Sequence, residues 1–323
     1  MDPSPRHPSP PAGYVLRRPS LDDAEAVAAL KRAIEVARDG ESETTADQVR
    51  DEWSLPGLSL RDDVWIVGDA GGSVIACGLC WTEAPGEVAA EHLVDPAHRG
   101  RGLNELLLGL CEERAVELVR AAGATGGATL GVAAHESDAR RLALLERRGY
   151  RRERAFLRLE RALDDSLESP VWPAGIRVAT LRPGVDDAAV HSAHEEAFVD
   201  HYGPAETDLE EWLQSRFAQE GPDLGLWLVA WDGSEVVGGI EAMGTPSGAY
   251  MGELFVRRPW RGRGIGRALM LEECAELRRR GMRNAFFGVD ATNDTGALHL
   301  HESIGFRSSR GATLLYEKRI AAD

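Results

Sequence analysis

Cysteine is scarce: the 323-residue chain carries four, Cys77, Cys80, Cys111 and Cys274. That is too few to staple a chain of this length, so a reduced, cytoplasmic protein is expected. Positive charge is short as well, with 37 Lys and Arg against 53 Asp and Glu and a formal net charge of −16. So negative a surface repels phosphate backbones, which argues against general nucleic-acid binding and favours cationic partners. No apolar run reaches the roughly 18 residues that a membrane helix needs. Residues Met1 to Gly13 are rich in Pro and Ser without an apolar stretch, and are expected to form a loose tail rather than a secretion signal. Hydrophobic residues still make up 43%, which excludes wholesale disorder, and the length predicts two domains rather than one.

The chain is written twice. Arg18-Pro19-Ser20-Leu21-Asp22-Asp23-Ala24 returns as Arg182-Pro183-Gly184-Val185-Asp186-Asp187-Ala188, 164 residues on. Trp65-Ile66-Val67 and Arg99-Gly100-Arg101-Gly102-Leu103 return 162 residues on, as Trp227-Leu228-Val229 and Arg261-Gly262-Arg263-Gly264-Ile265. Gly149-Tyr150 returns as Gly305-Phe306. Four matches in one order at nearly one offset predict a tail over 1–13, a first domain over 14–162, a linker over 163–175 and a second domain over 176–320. Each copy reads as a short strand, two helices, a hairpin with a Gly turn, a strand running into a long helix, then strand, helix and strand. The expected class is α/β (α+β), a mixed central sheet flanked by helices.

The most informative segment runs from Tyr250 to Met270: strand, glycine-rich turn, helix. Gly262, Gly264 and Gly266 leave the backbone bare at the start of the helix, where several N–H groups and the positive end of the helix dipole meet. That combination is an anion site, most naturally for a pyrophosphate. Arg257, Arg258, Arg261, Arg263 and Arg267 form a basic island there in an acidic chain. The turn lacks the Gly-Lys-Ser/Thr of a P-loop, and its G-x-G-x-G spacing departs from the G-x-G-x-x-G of a dinucleotide fold.

Arg261-Gly262-Arg263-Gly264-Ile265-Gly266 resembles the Arg/Gln-x-x-Gly-x-Gly/Ala signature of GNAT-superfamily N-acetyltransferases. Asp290-Ala291-Thr292-Asn293 and Ala297 to Phe306 resemble the family's next strand end and helix. The resemblance spans both halves, about 14–320, and is similar to the mycothiol synthases and related two-domain acyltransferases. It implies that the turn, with Arg267 and Asn293, holds the pyrophosphate of acetyl-CoA or another acyl-CoA as co-substrate, and that backbone N–H groups of Phe255 and Val256 hold the thioester arm. It further implies a direct transfer to an amine. In the first copy Asn104 stands where the last Gly/Ala belongs, so a crowded cradle is expected there, and the second copy is expected to be the catalytic one.

Acyl transfer to an amine needs a base for the ammonium and a proton for the leaving thiolate. Glu253, eight residues before Arg261, is placed to act as the base, against the alternative of a solvated strand glutamate; Glu91 holds the same place before Arg99. The family usually has Tyr where this chain has His301, so an imidazole near its ordinary pKa is expected as the acid, with Tyr316 or Tyr202 as substitutes. The acceptor is expected beside the first two helices, against His201, Tyr202 and Glu206 in an acidic loop that suits a small-molecule amine such as an aminosugar or aminoglycoside-type compound. The rival readings are a protein or peptide amine acetyltransferase, and a CoA-binding regulatory protein whose chemistry has lapsed. No metal is expected: His191, His194 and Glu195 share one helix face but read as solvated. Cys77 and Cys80 fall on opposite faces of a strand and read as core, as do Cys111 and Cys274. A monomer is expected, with a dimer as the alternative.

Overall fold

The structure is a computed structural model. It describes residues 9–42, 44–55, 57–123, 127–199, 208–217, 223–245, 248–292 and 297–320. The chain divides into two compact units, one formed by residues 1–155 with 311–323 and the other by 156–310.

In the first unit the elements run β1 (Tyr14–Arg17), α1 (Ala24–Asp39), α2 (Ala46–Trp53), β2 (Val64–Asp69), β3 (Val74–Ala84), β4 (Glu87–Val94), α3 (Leu103–Ala121), β5 (Ala128–His135) and α4 (Ala139–Arg147). Local chemistry sets their ends. The Ser20 amide donates to Asp23 at 2.8 Å just before α1, and α1 stops at Gly40, whose φ of 84° is left-handed. Thr45 and Gln48 close a capping box at the start of α2. Asp69 accepts from the amides of Gly71 and Ser73 and so folds the β2–β3 turn. Val27, Leu30, Val49, Trp53, Ile66 and Cys77 join in a core between α1, α2 and one sheet face. On α3, Leu107, Leu108, Leu110 and Cys111 are buried, and the Cys80 and Cys111 thiols each reach the other segment's backbone. The two cysteines of Cys77-Gly78-Leu79-Cys80 thus serve opposite faces, as their spacing predicts.

The second unit repeats the plan: β7 (Ile176–Thr180), α5 (Asp187–Phe198), α6 (Leu209–Phe217), β8 (Trp227–Asp232), β9 (Glu235–Thr245), β10 (Gly248–Val256), α7 (Ile265–Arg279), β11 (Asn284–Asp290) and α8 (Ala297–Ser303). Its main core gathers Ile265, Leu269, Cys274, Leu277, Phe287 and Phe306.

The closing strands are exchanged. β6 (Arg151–Ala162) follows the first copy in sequence, yet its residues 156–162 run antiparallel to β11 in the second unit. β12 (Arg307–Ile320) ends the second copy, yet residues 313–320 run antiparallel to β5 in the first unit. The strand orders are therefore β1-β2-β3-β4-β5-β12 and β7-β8-β9-β10-β11-β6. The sequence repeat and the compact units thus have different edges, since each unit includes one strand from beyond the seam expected at 163–175.

Every neighbouring pair within a unit is antiparallel except β4 with β5 and β10 with β11. The parallel β10–β11 ladder covers only Ala249–Tyr250 against Ala285–Phe286. From Met251 onward β10 keeps its β9 partner alone, and alternate backbone groups face the opening on the β11 side.

Candidate active site

β10 is irregular where it enters the site. Its register against β9 slips between Met251 and Leu254, so Gly252 and Glu253 together oppose Glu241. Such a bulge turns the extra side chain out of the regular alternation. A Cβ on Gly252 would lie 2.6 Å from a Glu241 carboxylate oxygen, so a side chain there would require Glu241 to move. The matching stretch of β4 has no bulge: Leu79, Gly78 and Cys77 face Glu91, His92 and Leu93 in unbroken register.

The bulge brings Glu253 to α5. Glu253 Oε2 lies 2.5 Å from His194 Nε2, and the carboxylate side chain is 40% exposed while the imidazole is 11% exposed. The ring sits in an aromatic cage, with centroids 4.6 Å from Phe198, 6.0 Å from Trp212 and 5.6 Å from Phe255. Its Nδ1 faces Glu195 Oε1 at 3.4 Å. His194 therefore does not lie on a solvated helix face, as its spacing with His191 and Glu195 suggested. Burial and a carboxylate from another element claim it. His191 packs on Trp212 at 5.4 Å.

The turn after β10 carries bare backbone. Gly262 and Gly264 have φ of +75° and +89°, with nothing within 4 Å of where a Cβ would stand. Left-handed backbone is costly for other residues, so the turn requires glycine at both positions. Gly264 is the N-cap of α7 and supplies no side chain to its first turn, so the amides of that turn point outward without an intrahelical partner. These features fit a pyrophosphate group: open space, outward N–H groups and a helix N-terminus. At Gly266 a Cβ would stand in ordinary contact with Leu300 and Val256, at 3.4 and 3.6 Å, so the packing leaves room for alanine there.

The arginines of the turn have structural ties. Arg261 donates to the carbonyls of Val256 (2.9 Å) and Ala197 (2.8 Å), joining the turn to the end of α5. Arg257 pairs with Glu196 and Arg267 with Glu168 at 3.0 Å, whereas Arg263 is exposed. The expected anion site thus rests on backbone more than on the guanidinium of Arg261. Phe255 is buried against His194, and Val256 lies at the open end of β10.

His301 departs from expectation. It is buried, its ring meets Phe287 edge-on at 4.2 Å, and its Nδ1 has no hydrogen-bond partner among the described residues. Burial lowers its pKa to about 4, so the ring is neutral at pH 7 and lacks the proton an imidazolium acid would give. Tyr316, the substitute, belongs to the first unit, where its hydroxyl donates to Glu146 at 3.2 Å. His201, Tyr202, Glu206 and Asn293 lie outside the described residues.

The first unit keeps the outline and changes the contents. Lys31 on α1 bridges Glu52 at 2.8 Å and Glu91 at 3.2 Å, and both carboxylates raise its pKa. These three residues line a cleft of about 300 Å³. Asn104 bonds the buried, neutral His92 at 3.0 Å and lines one cleft with Arg99 and Gly100 of the turn. Arg140 covers the turn as well, with a guanidinium nitrogen 2.8 Å from where a Cβ on Gly100 would stand.

Comparison with known proteins agrees with this geometry. The family model described as "Acetyltransferase (GNAT) family" matches residues 27–150 and again 188–306. A mycothiol acetyltransferase of Thermobispora bispora is 32% identical over 236 residues, 71% of this chain and 76% of the relative. One from Acidothermus cellulolyticus is 33% identical over 254 residues, covering 73% and 72%. Among solved structures, a GCN5-related N-acetyltransferase from Sphaerobacter thermophilus superposes with a TM-score of 0.84 at 32% identity, covering 96% of this chain and 97% of the other. A tandem GNAT protein from the clavulanic acid biosynthesis pathway shares the fold, with a TM-score of 0.71 at 18% identity and coverage of 96% and 100%. The chain belongs to the GNAT acetyltransferase family and is an N-acetyltransferase with two tandem GNAT domains, using an acyl-CoA as co-substrate. Among the described residues, no helix is long and apolar enough to cross a membrane.

Proposed function

We propose that the second unit transfers an acetyl group from acetyl-CoA to a primary amine of a small molecule. Aminosugar and aminoglycoside-type compounds are the acceptor class, and the mycothiol-related amine suggested by the relatives' names is the first to test. The observation that carries the reading is Glu253: a partly exposed carboxylate on a bulged strand, eight residues before an open glycine turn. The outward amides of the turn would hold the pyrophosphate, and the open edge of β10 at Phe255 and Val256 the thioester arm. Acetyl-CoA supplies an acyl group already activated for attack by an amine. Glu253 takes the proton of the acceptor ammonium so that nitrogen presents a lone pair. His201, Tyr202 and Glu206 would receive the acceptor, their negative and aromatic character suiting a cationic sugar.

The test is thiol release from acetyl-CoA over a panel of amines, with product mass to show N-acetylation. Glu253→Gln is expected to lower kcat by about 10²–10³ while acetyl-CoA binding stays intact. Thiol release with no amine of the panel, or an undiminished Glu253→Gln enzyme, refutes the reading.

A further inference from the structure

We propose that His194 is a positioning residue for this reaction, holding the Glu253 carboxylate through Nε2 so that it faces the acceptor. The inference rests on Glu253 being the base. An isolated strand glutamate, 40% exposed, has several rotamers and a solvent-averaged orientation. Here one oxygen is fixed at 2.5 Å by a ring that is itself locked among Phe198, Trp212 and Phe255.

A hydrogen bond at Nε2 holds one carboxylate oxygen and fixes the direction in which the group faces. The ring that makes it is held from three elements: Glu195 stands at its Nδ1 on α5 itself, and α6 and β10 add Trp212 and Phe255. In the transfer the ammonium proton passes to Glu253, the nitrogen lone pair forms the amide bond, the C–S electron pair leaves with the CoA sulfur, and the second proton that the nitrogen sheds goes to that thiolate.

The first unit provides an internal contrast. Lys31 lies 163 residues before His194 and Glu91 162 before Glu253, and the helix residue again reaches the strand carboxylate, at 3.2 Å. There the partner is a lysine whose charge is permanent near neutral pH, on a strand without the bulge. The imidazole partner, on a bulged strand, occurs in the copy with the open glycine turn.

Two variants separate positioning from packing. His194→Gln keeps an N–H for Glu253. His194→Phe fills the cage and removes the hydrogen bond. His194→Phe is expected to lose about 10–100-fold in kcat at little change in KM, whereas His194→Gln is expected to keep kcat near wild type. A His194→Gln as impaired as His194→Phe, or a fully active His194→Phe, overturns the proposal. Glu253→Gln, assayed alongside, distinguishes the two failures. If it is inactive while both His194 variants behave as wild type, only the role of His194 falls; if it is fully active, the base assignment falls and this proposal with it.

Discussion

Replacing Glu273 by Gln should flatten the pH dependence of stability in the second unit. Glu273 lies in α7 with no exposed surface, and neither carboxyl oxygen has a hydrogen-bond partner among the described residues. Burial, reinforced by Glu276, raises its pKa from 4.5 to about 9. The folded state therefore holds a proton between those values that the unfolded chain has released. The stability that this group contributes is greatest below pH 4.5 and falls as pH rises toward 9. At about 1.36 kcal/mol per pH unit, the interval from pH 5 to pH 8 removes about 4 kcal/mol through this group alone. For a unit of this size that corresponds to about 8–16 °C in melting temperature. Gln keeps the shape and has no proton to lose, so calorimetric melts of both proteins at pH 5 and pH 8 should show the wild type losing that much more. Contributions from all other groups cancel in the difference. Parallel melting curves would mean that Glu273 ionises within the fold and that water or Arg280 reaches it.

Three further outcomes follow from the geometry. His301→Phe should stabilise the acid side: the folded pKa of about 4 lies below the ordinary 6.5, so the wild type loses stability as pH falls through that window, by about 3 kcal/mol in all, and melts at pH 4 and 7 should show the loss gone from the variant. Gly264→Ala forces a left-handed alanine at φ near +89°, costing about 1–2 kcal/mol locally, and should weaken acetyl-CoA binding measured by titration calorimetry. Lys31→Met should leave kcat unchanged, since it alters Glu91 and Glu52 of the first unit while Glu253 stays as it is; a steady-state assay at saturating acetyl-CoA checks this.

The parts of this protein legible in its sequence are those written in neighbouring residues. The Arg/Gly turn, its flanking strand and helix, and the two copies of each are local patterns, and the strand, turn and helix fall where they were expected. His194 was misjudged because its local company, His191 and Glu195, is polar. The signal was present all the same: Val190, Ala193, His194 and Ala197 fall on one helical stripe, three of them small or apolar, so a histidine among them faces the core. Its partner was not readable, because Glu253 lies 59 residues on and is re-aimed by a bulge whose one trace in the sequence is Gly252. The exchange of closing strands left no local mark at all.

That exchange has a consequence for how the protein is made. During synthesis the first unit can collapse around β1 to β5, but the strand that completes its sheet, 313–320, leaves the ribosome only after β7 to β11 have emerged. Until then β5 presents an unpaired edge, and closing the sheet joins residues nearly two hundred positions apart, a slow, high-separation contact. The two halves therefore cannot be expressed apart by cutting at the linker near residue 170. The amino-terminal piece would carry β6 without β11, and the carboxy-terminal piece β12 without β5. Active material should come from the intact chain or from the two fragments produced together, each lending the other its final strand.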